Sequence, residues 1–273
     1  MPGDGLAAPD RATIVDCYLE ALGLGRQPPS LGFLEAITAR HVATFPFASV
    51  GPRLGEELPL DLPSLHDRIC VRRRGGYCFE QNGLLYGVLE ELGFRVTLCL
   101  CRVILNRPIY PGLTHRISLV EIDGRRWIAD VGFGMFGPRV PVALDGEPSP
   151  DFDAVFHTMT GPDGQRSLVA DRRDGPLTLY AFDLVRYGEA DCEVGHFWSH
   201  RSPKANFVNN LIVSRLLPGE TRYLRNREYR VARPGEEEVR SVDDAGGLRS
   251  VLVGDMGLEV TEGECERLFR AME

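Results

Sequence analysis

An α+β fold in three successive units is what this sequence predicts, and three observations predict it. Apolar residues recur at helical spacing up to residue 93. They switch to strand-like alternation from Phe94, and toward the C-terminus the two patterns mix. The expected units are a helical one (1–93), an antiparallel sheet or small barrel (94–195) and a mixed α/β one (196–273).

The elements follow in order. Asp10 caps a helix over 10–24 with an apolar stripe of Ile14, Val15, Tyr18, Ala21 and Leu22, and Cys17 is expected on its buried side. Pro28, Pro29 and Ser30 open a second helix through Leu31, Leu34 and Ile37. A third begins at Cys78: Leu85, Val88, Leu89 and Leu92 make one buried face, and Gly93 stops it. Strands are expected over 95–103, 117–122, 126–131, 167–169 and 177–182, punctuated by Asp-Gly and Pro-Gly pairs. The third unit combines strands over 211–216 and 228–233 with a helix over 265–272. No repeat or obvious linker separates the units, so they are expected to share interfaces.

Composition narrows the function. The chain has 273 residues, 43% hydrophobic and 26% charged, as in soluble globular proteins. A net charge of −8 argues against a nucleic-acid partner. There is no basic-then-apolar leader and no apolar run of ~18 residues, so a cytoplasmic protein without a membrane span is expected. Seven dispersed cysteines without a C-x-x-C pair read as reduced thiols. No spacing suggests a metal site.

The densest chemical signal is Arg74-Gly75-Gly76-Tyr77-Cys78-Phe79-Glu80-Gln81. It puts Cys78 in the first turn of the third helix, where unpaired N–H groups and the dipole favour negative charge. That setting is expected to lower the thiol pKa and expose a nucleophilic thiolate. A cysteine nucleophile needs a base, and the base needs an orienting partner. The segment from His115 to Asp130 reads as a hairpin with Asp123-Gly124 at its tip. Ile122 then pairs with Arg125, His115 falls opposite Gly132, and Asp130 is its diagonal neighbour on the same face. Cys78, His115 and Asp130 are therefore the candidate triad. His115 would withdraw the thiol proton, and Asp130 would fix the imidazole tautomer.

Other signals weigh less. Arg72, Arg73 and Arg74 are either a solvated run or an anion site. Gly132-Phe-Gly134-Met-Phe-Gly137 matches a dinucleotide fingerprint, but Pro138 and Pro141 follow where a helix should start, which rejects that reading. Cys99 and Cys101 alternate onto a core face of their strand, and Cys70 is a remote candidate to resolve an oxidised Cys78. His196, Trp198 and His200 read as structural.

The same residues resemble the arylamine N-acetyltransferase family: the run from Arg74 to Gly83, Thr114-His115, and Asp130-Val131-Gly132-Phe133-Gly134. His41 with Phe45-Pro46-Phe47, and Ser202-Pro203 with Phe207, Asn210 and Arg215, add support. The resemblance implies a helical bundle carrying Cys78, a β-barrel carrying His115 and Asp130, and an α/β lid, with a cysteine-protease-like catalytic core. It implies ping-pong transfer of acetyl from acetyl-CoA to an arylamine or hydrazine through a Cys78 thioester, with no permanently bound cofactor. Phe47 and Phe133 would line the acceptor pocket, and Gly112, Gly132 and Gly134 would let the CoA arm approach the backbone. One departure stands out. The family pattern continues Pro-Phe-Glu-Asn-Leu, whereas this chain reads Pro46-Phe47-Ala48-Ser49-Val50. The missing glutamate would pair with the arginine at Arg74, so Arg74 needs solvent or another carboxylate, with Asp61 and Glu80 as candidates.

Rival readings share the triad. One is an amide synthase of natural-product assembly that takes an acyl chain from a carrier-protein thioester, a partner the arginine run would suit. A second is a thiol hydrolase, and a third a non-catalytic binding protein that retains the fold.

Overall fold

Capping sets the first helices of the computed structural model, which describes residues 9–272. Helix α1 (Arg11–Ala21) starts where Asp10 accepts a hydrogen bond from the Thr13 N–H, and α2 (Leu31–Thr44) where Ser30 accepts from Phe33. Strand β1 (Phe47–Ala48), α3 (Val50–Leu54), α4 (Leu62–His66) and a π-helical turn (Asp67–Val71) lead to α5 (Cys78–Glu91). The short α3 and α4 carry too little periodicity to be seen in the sequence. Cys17 is exposed, contrary to expectation. The stripe that α1 buries is Ile14, Val15, Tyr18 and Leu19, which leaves position 17 facing outward.

An eight-stranded antiparallel sheet follows. It contains β2 (Arg95–Val103), β3 (His115–Ile122), β4 (Arg125–Ala129), β5 (Val142–Ala143), β6 (Ser149–Pro150), β7 (Ala154–Thr160), β8 (Arg166–Arg172) and β9 (Gly175–Phe182), in the order β5-β4-β3-β2-β9-β8-β7-β6. The Thr158 hydroxyl on β7 donates to the carbonyls of Ala143 and Leu144 at 3.3 and 3.1 Å, so the sheet curls almost to a barrel. Ile117, Leu119, Ile128, Phe156, Leu168 and Phe182 fill its interior. The β3–β4 register is the one the Asp-Gly turn predicts: Ile122 faces Arg125 and Ser118 faces Ala129. Asp123 and Gly124 both take positive φ, 51° and 77°, as a two-residue turn with native twist requires.

Helix α6 (Glu189–Arg201) runs straight through the boundary expected at 195/196, and α7 (Asn206–Asn209) follows it. The second sheet is β1-β10-β11-β12-β13, made of β10 (Ile212–Leu217), β11 (Glu220–Arg225), β12 (Glu228–Arg233) and β13 (Glu236–Ser241). It packs on α8 (Ala245–Arg249), a π-helical turn (Ser250–Asp255) and α9 (Glu262–Arg270) through Leu248, Val251, Leu252 and Leu268. Strand β13 is exposed throughout and rich in glutamate, so it shows no half-buried alternation to read. One buried cluster joins Leu85 and Val88 of α5, Val120 of β3 and Leu216 of β10, so the three regions share a core. No helix among the described residues is long and apolar enough to cross a membrane.

Candidate active site

The glycine pair before Cys78 is explained by close approach. Gly75 has φ +64°, and a Cβ there would lie 2.8 Å from the Pro46 carbonyl and 2.9 Å from Ala48 Cβ. The Ala48 N–H donates to the Gly76 carbonyl at 2.8 Å, so β1 is pressed against the turn that feeds α5. Helix α5 then begins at Cys78, with Glu80 Oε2 accepting from the Tyr77 N–H at 3.1 Å. The Tyr77 hydroxyl is held by His196 Nδ1 at 2.5 Å, and His196 Nε2 in turn lies 2.7 Å from the Leu58 carbonyl. Burial lowers the His196 pKa to about 4, so it is a neutral strut.

Cys78 is buried, and its Sγ lies 3.5 Å from the Thr114 carbonyl, one residue before His115. His115 is buried too, and its Nε2 lies 2.7 Å from Asp130 Oδ2. Asp130 Oδ1 accepts from Asn82 Nδ2 at 2.9 Å and from the Gly132 N–H at 3.0 Å. Asn82 also donates to the Arg116 carbonyl at 2.6 Å and accepts from the Val131 N–H at 2.9 Å. It stands four residues after Cys78, one turn along the same helix, so α5 carries both the cysteine and the clamp on the carboxylate. Asn82 stands out in the sequence only as part of the Arg74–Gly83 run, although i, i+4 spacing from Cys78 puts the two on one helix face.

The electrostatics modify one expectation. Burial pushes the Cys78 thiol up, as does the charge of Asp130, and the N–H groups of Phe79 and Arg116 pull it back only in part. The helix mouth alone therefore does not ionise this thiol. Burial would also raise Asp130, but the charge of His115 and hydrogen bonds from His115, Asn82 and Gly132 outweigh it and hold the carboxyl low.

The remaining predicted residues fall in two places. Phe47 and Phe133 wall a narrow cleft with Gly134 and Ser214. The ring of Phe133 meets that of His115 edge-on, with centroids 5.2 Å apart. Gly132 is committed to packing: a Cβ there would lie 2.9 Å from Cys78 Cα and 2.6 Å from Asn82 Nδ2. Gly112 lies apart, in a groove with Leu100, Arg102, Leu113, Thr114 and Trp198.

Arg74 is satisfied by neither Asp61 nor Glu80. Asp61 caps α4, and Glu80 Oε1 lies 2.7 Å from Arg68 Nε. Arg74 instead binds Glu56 at 2.6 Å and both carboxylate oxygens of Glu264 at 2.9 Å. The arginine run also disperses. Arg72 pairs with Asp67 on the surface, Arg73 is exposed, and Arg74 is buried, so the three form no joint anion face.

A family model described as N-acetyltransferase matches residues 30–265, which sets the class. The arylamine N-acetyltransferase of Escherichia coli strain K12 is 35% identical over 252 residues, 88% of this chain and 86% of its own. Among solved structures, the arylamine N-acetyltransferase from Salmonella typhimurium gives a TM-score of 0.89 at 30% identity, covering 95% of this chain and 98% of that one. The Mycobacterium marinum arylamine N-acetyltransferase in complex with CoA gives 0.89 at 28% identity, covering 94% and 99%. The chain belongs to the arylamine N-acetyltransferase family, and it is an enzyme.

Proposed function

We propose that the protein transfers acetyl from acetyl-CoA to an arylamine or hydrazine nitrogen by a ping-pong route through Cys78. The observation that carries this reading is the His115–Asp130 contact at 2.7 Å, clamped by Asn82 from the helix that begins with Cys78. With Nε2 committed to Asp130, the His115 Nδ1 is the ring nitrogen left to take the thiol proton. That transfer matters because burial opposes ionisation of the thiol by itself. The thiolate attacks the acetyl carbonyl carbon, the bond from that carbon to the CoA sulfur breaks, and CoA leaves with the proton from His115. The amine then attacks the Cys78 thioester, gives its proton to His115 and releases the thiolate.

The chemistry needs no resident cofactor, because acetyl-CoA is a substrate. CoA in the Mycobacterium marinum structure supports that donor. Of the three glycines, Gly112 is best placed for the donor arm, because its groove includes Thr114, whose carbonyl touches Cys78. Phe47 and Phe133 supply apolar walls for an aromatic acceptor.

Mass spectrometry after exposure to acetyl-CoA tests the reading. One acetyl group should appear, be absent in Cys78→Ala, and leave on addition of an arylamine. Label that persists in Cys78→Ala removes the mechanism. Discharge to water as fast as to the amine points to a thiol hydrolase.

A further inference from the structure

Ser214 lies on β10 directly opposite Phe47 of β1, so the two side chains share a face. It is 2% exposed, and its hydroxyl has no hydrogen-bond partner among the described residues. Buried hydroxyls are rarely left so, and this one borders the cleft between Phe47 and Phe133. Gly134, at φ +87°, approaches it so closely that a Cβ there would lie 3.3 Å from Ser214 Oγ. Phe45 and Leu216 extend the apolar wall, and among the described residues Asp130 is the only charged one bordering the cleft.

We infer that Ser214 selects the acceptor, by hydrogen bonding to a small neutral polar substituent, such as a hydroxyl, on the ring end remote from the amine. The inference rests on the acyl-transfer reading and names the acceptor class for it. Neither Cys78 nor His115 borders the cleft, whereas Phe133 and Asp130, which both contact His115, do, so an acceptor whose amine reaches Cys78 can direct a small substituent on its far end into the cleft. Neutrality follows from charge. A carboxylate substituent would be desolvated beside Asp130 with no cation in the wall to meet it. A hydroxyl, the size of one water, answers the unpartnered Ser214 hydroxyl, which both donates and accepts.

The test compares kcat/KM for 4-aminophenol, 4-methylaniline and 4-aminobenzoate in the native enzyme and in Ser214→Ala. The ratio of 4-aminophenol to 4-methylaniline should fall about fivefold in the variant, the scale of one neutral hydrogen bond. The 4-aminobenzoate rate should change less than about twofold. An unchanged ratio, an equal loss on all three acceptors, or a loss on 4-aminobenzoate matching that on 4-aminophenol overturns the inference. Acetyl loading of Cys78 is measured alongside. Equal loading in both proteins shows that the variant is folded, whereas absence of loading in the native enzyme removes the transferase reading itself.

Discussion

Replacing Asn82 by Ala should cost both stability and chemistry, and its contacts set the scale. The substitution orphans two buried backbone groups, the Val131 N–H and the Arg116 carbonyl, and removes one of three donors to the Asp130 carboxylate. An unsatisfied buried group costs ~1–3 kcal/mol, and a hydrogen bond to a charged group contributes ~1.5–3 kcal/mol. The low ends together come to about 4 kcal/mol, a large share of the ~5–15 kcal/mol that holds a domain folded. For a chain of this length that lowers the melting temperature by about 10 °C. Urea unfolding checks the first part. The second readout is the pH profile of Cys78 acetylation. Asp130 is held low partly by Asn82, so without that bond its pKa rises and the acid limb of the profile moves to higher pH. A stability loss below about 1 kcal/mol, or an acid limb that stays put, would refute the reasoning.

Two further outcomes are expected. Burial lowers His41 and His196 from 6.5 to about 4, so both are neutral in the fold and charged in the unfolded chain below pH 6.5. The unfolded state then binds more protons, and stability falls as pH drops from about 6.5 toward 4, by about 3 kcal/mol for His41 alone. Glu80, raised by burial to about 6, returns about 2 kcal/mol between pH 6 and 4.5, so the net loss is a few kcal/mol. A urea midpoint that is flat over this range would contradict the account. Glu264→Gln should destabilise by about 1–2 kcal/mol at pH 7, because Arg74 keeps Glu56 and the Glu259 carbonyl. Glu264 is held at about 2, so its contribution is present above pH 4.5 and lost as pH falls through 2. A calorimetric deficit that fails to shrink below pH 4.5 counts against the pairing.

Much of the fold near the site was legible because its signals are local. The Asp10 and Ser30 caps, the helix starting at Cys78 and the Asp123-Gly124 turn each act within about four residues. The turn's two-residue length alone sets the β3–β4 register and puts His115 and Asp130 on one face. Strand β13 and the short helices α3, α4 and α8 stayed hidden, since their burial and pairing come from distant neighbours, not from their own pattern.

Sequence alone determined the helix that Cys78 opens, the hairpin parity and the residue types gathered around them. Only the tertiary structure decided that Glu56 and Glu264 neutralise Arg74, that β1 joins β10, that Asn82 clamps Asp130, and that the Cys78 thiol is pushed up. The physical reason is range. A cap or tight turn is satisfied by its chain neighbours, whereas an ion pair spanning 190 residues depends on how the whole chain closes, and so does the desolvation of a buried thiol.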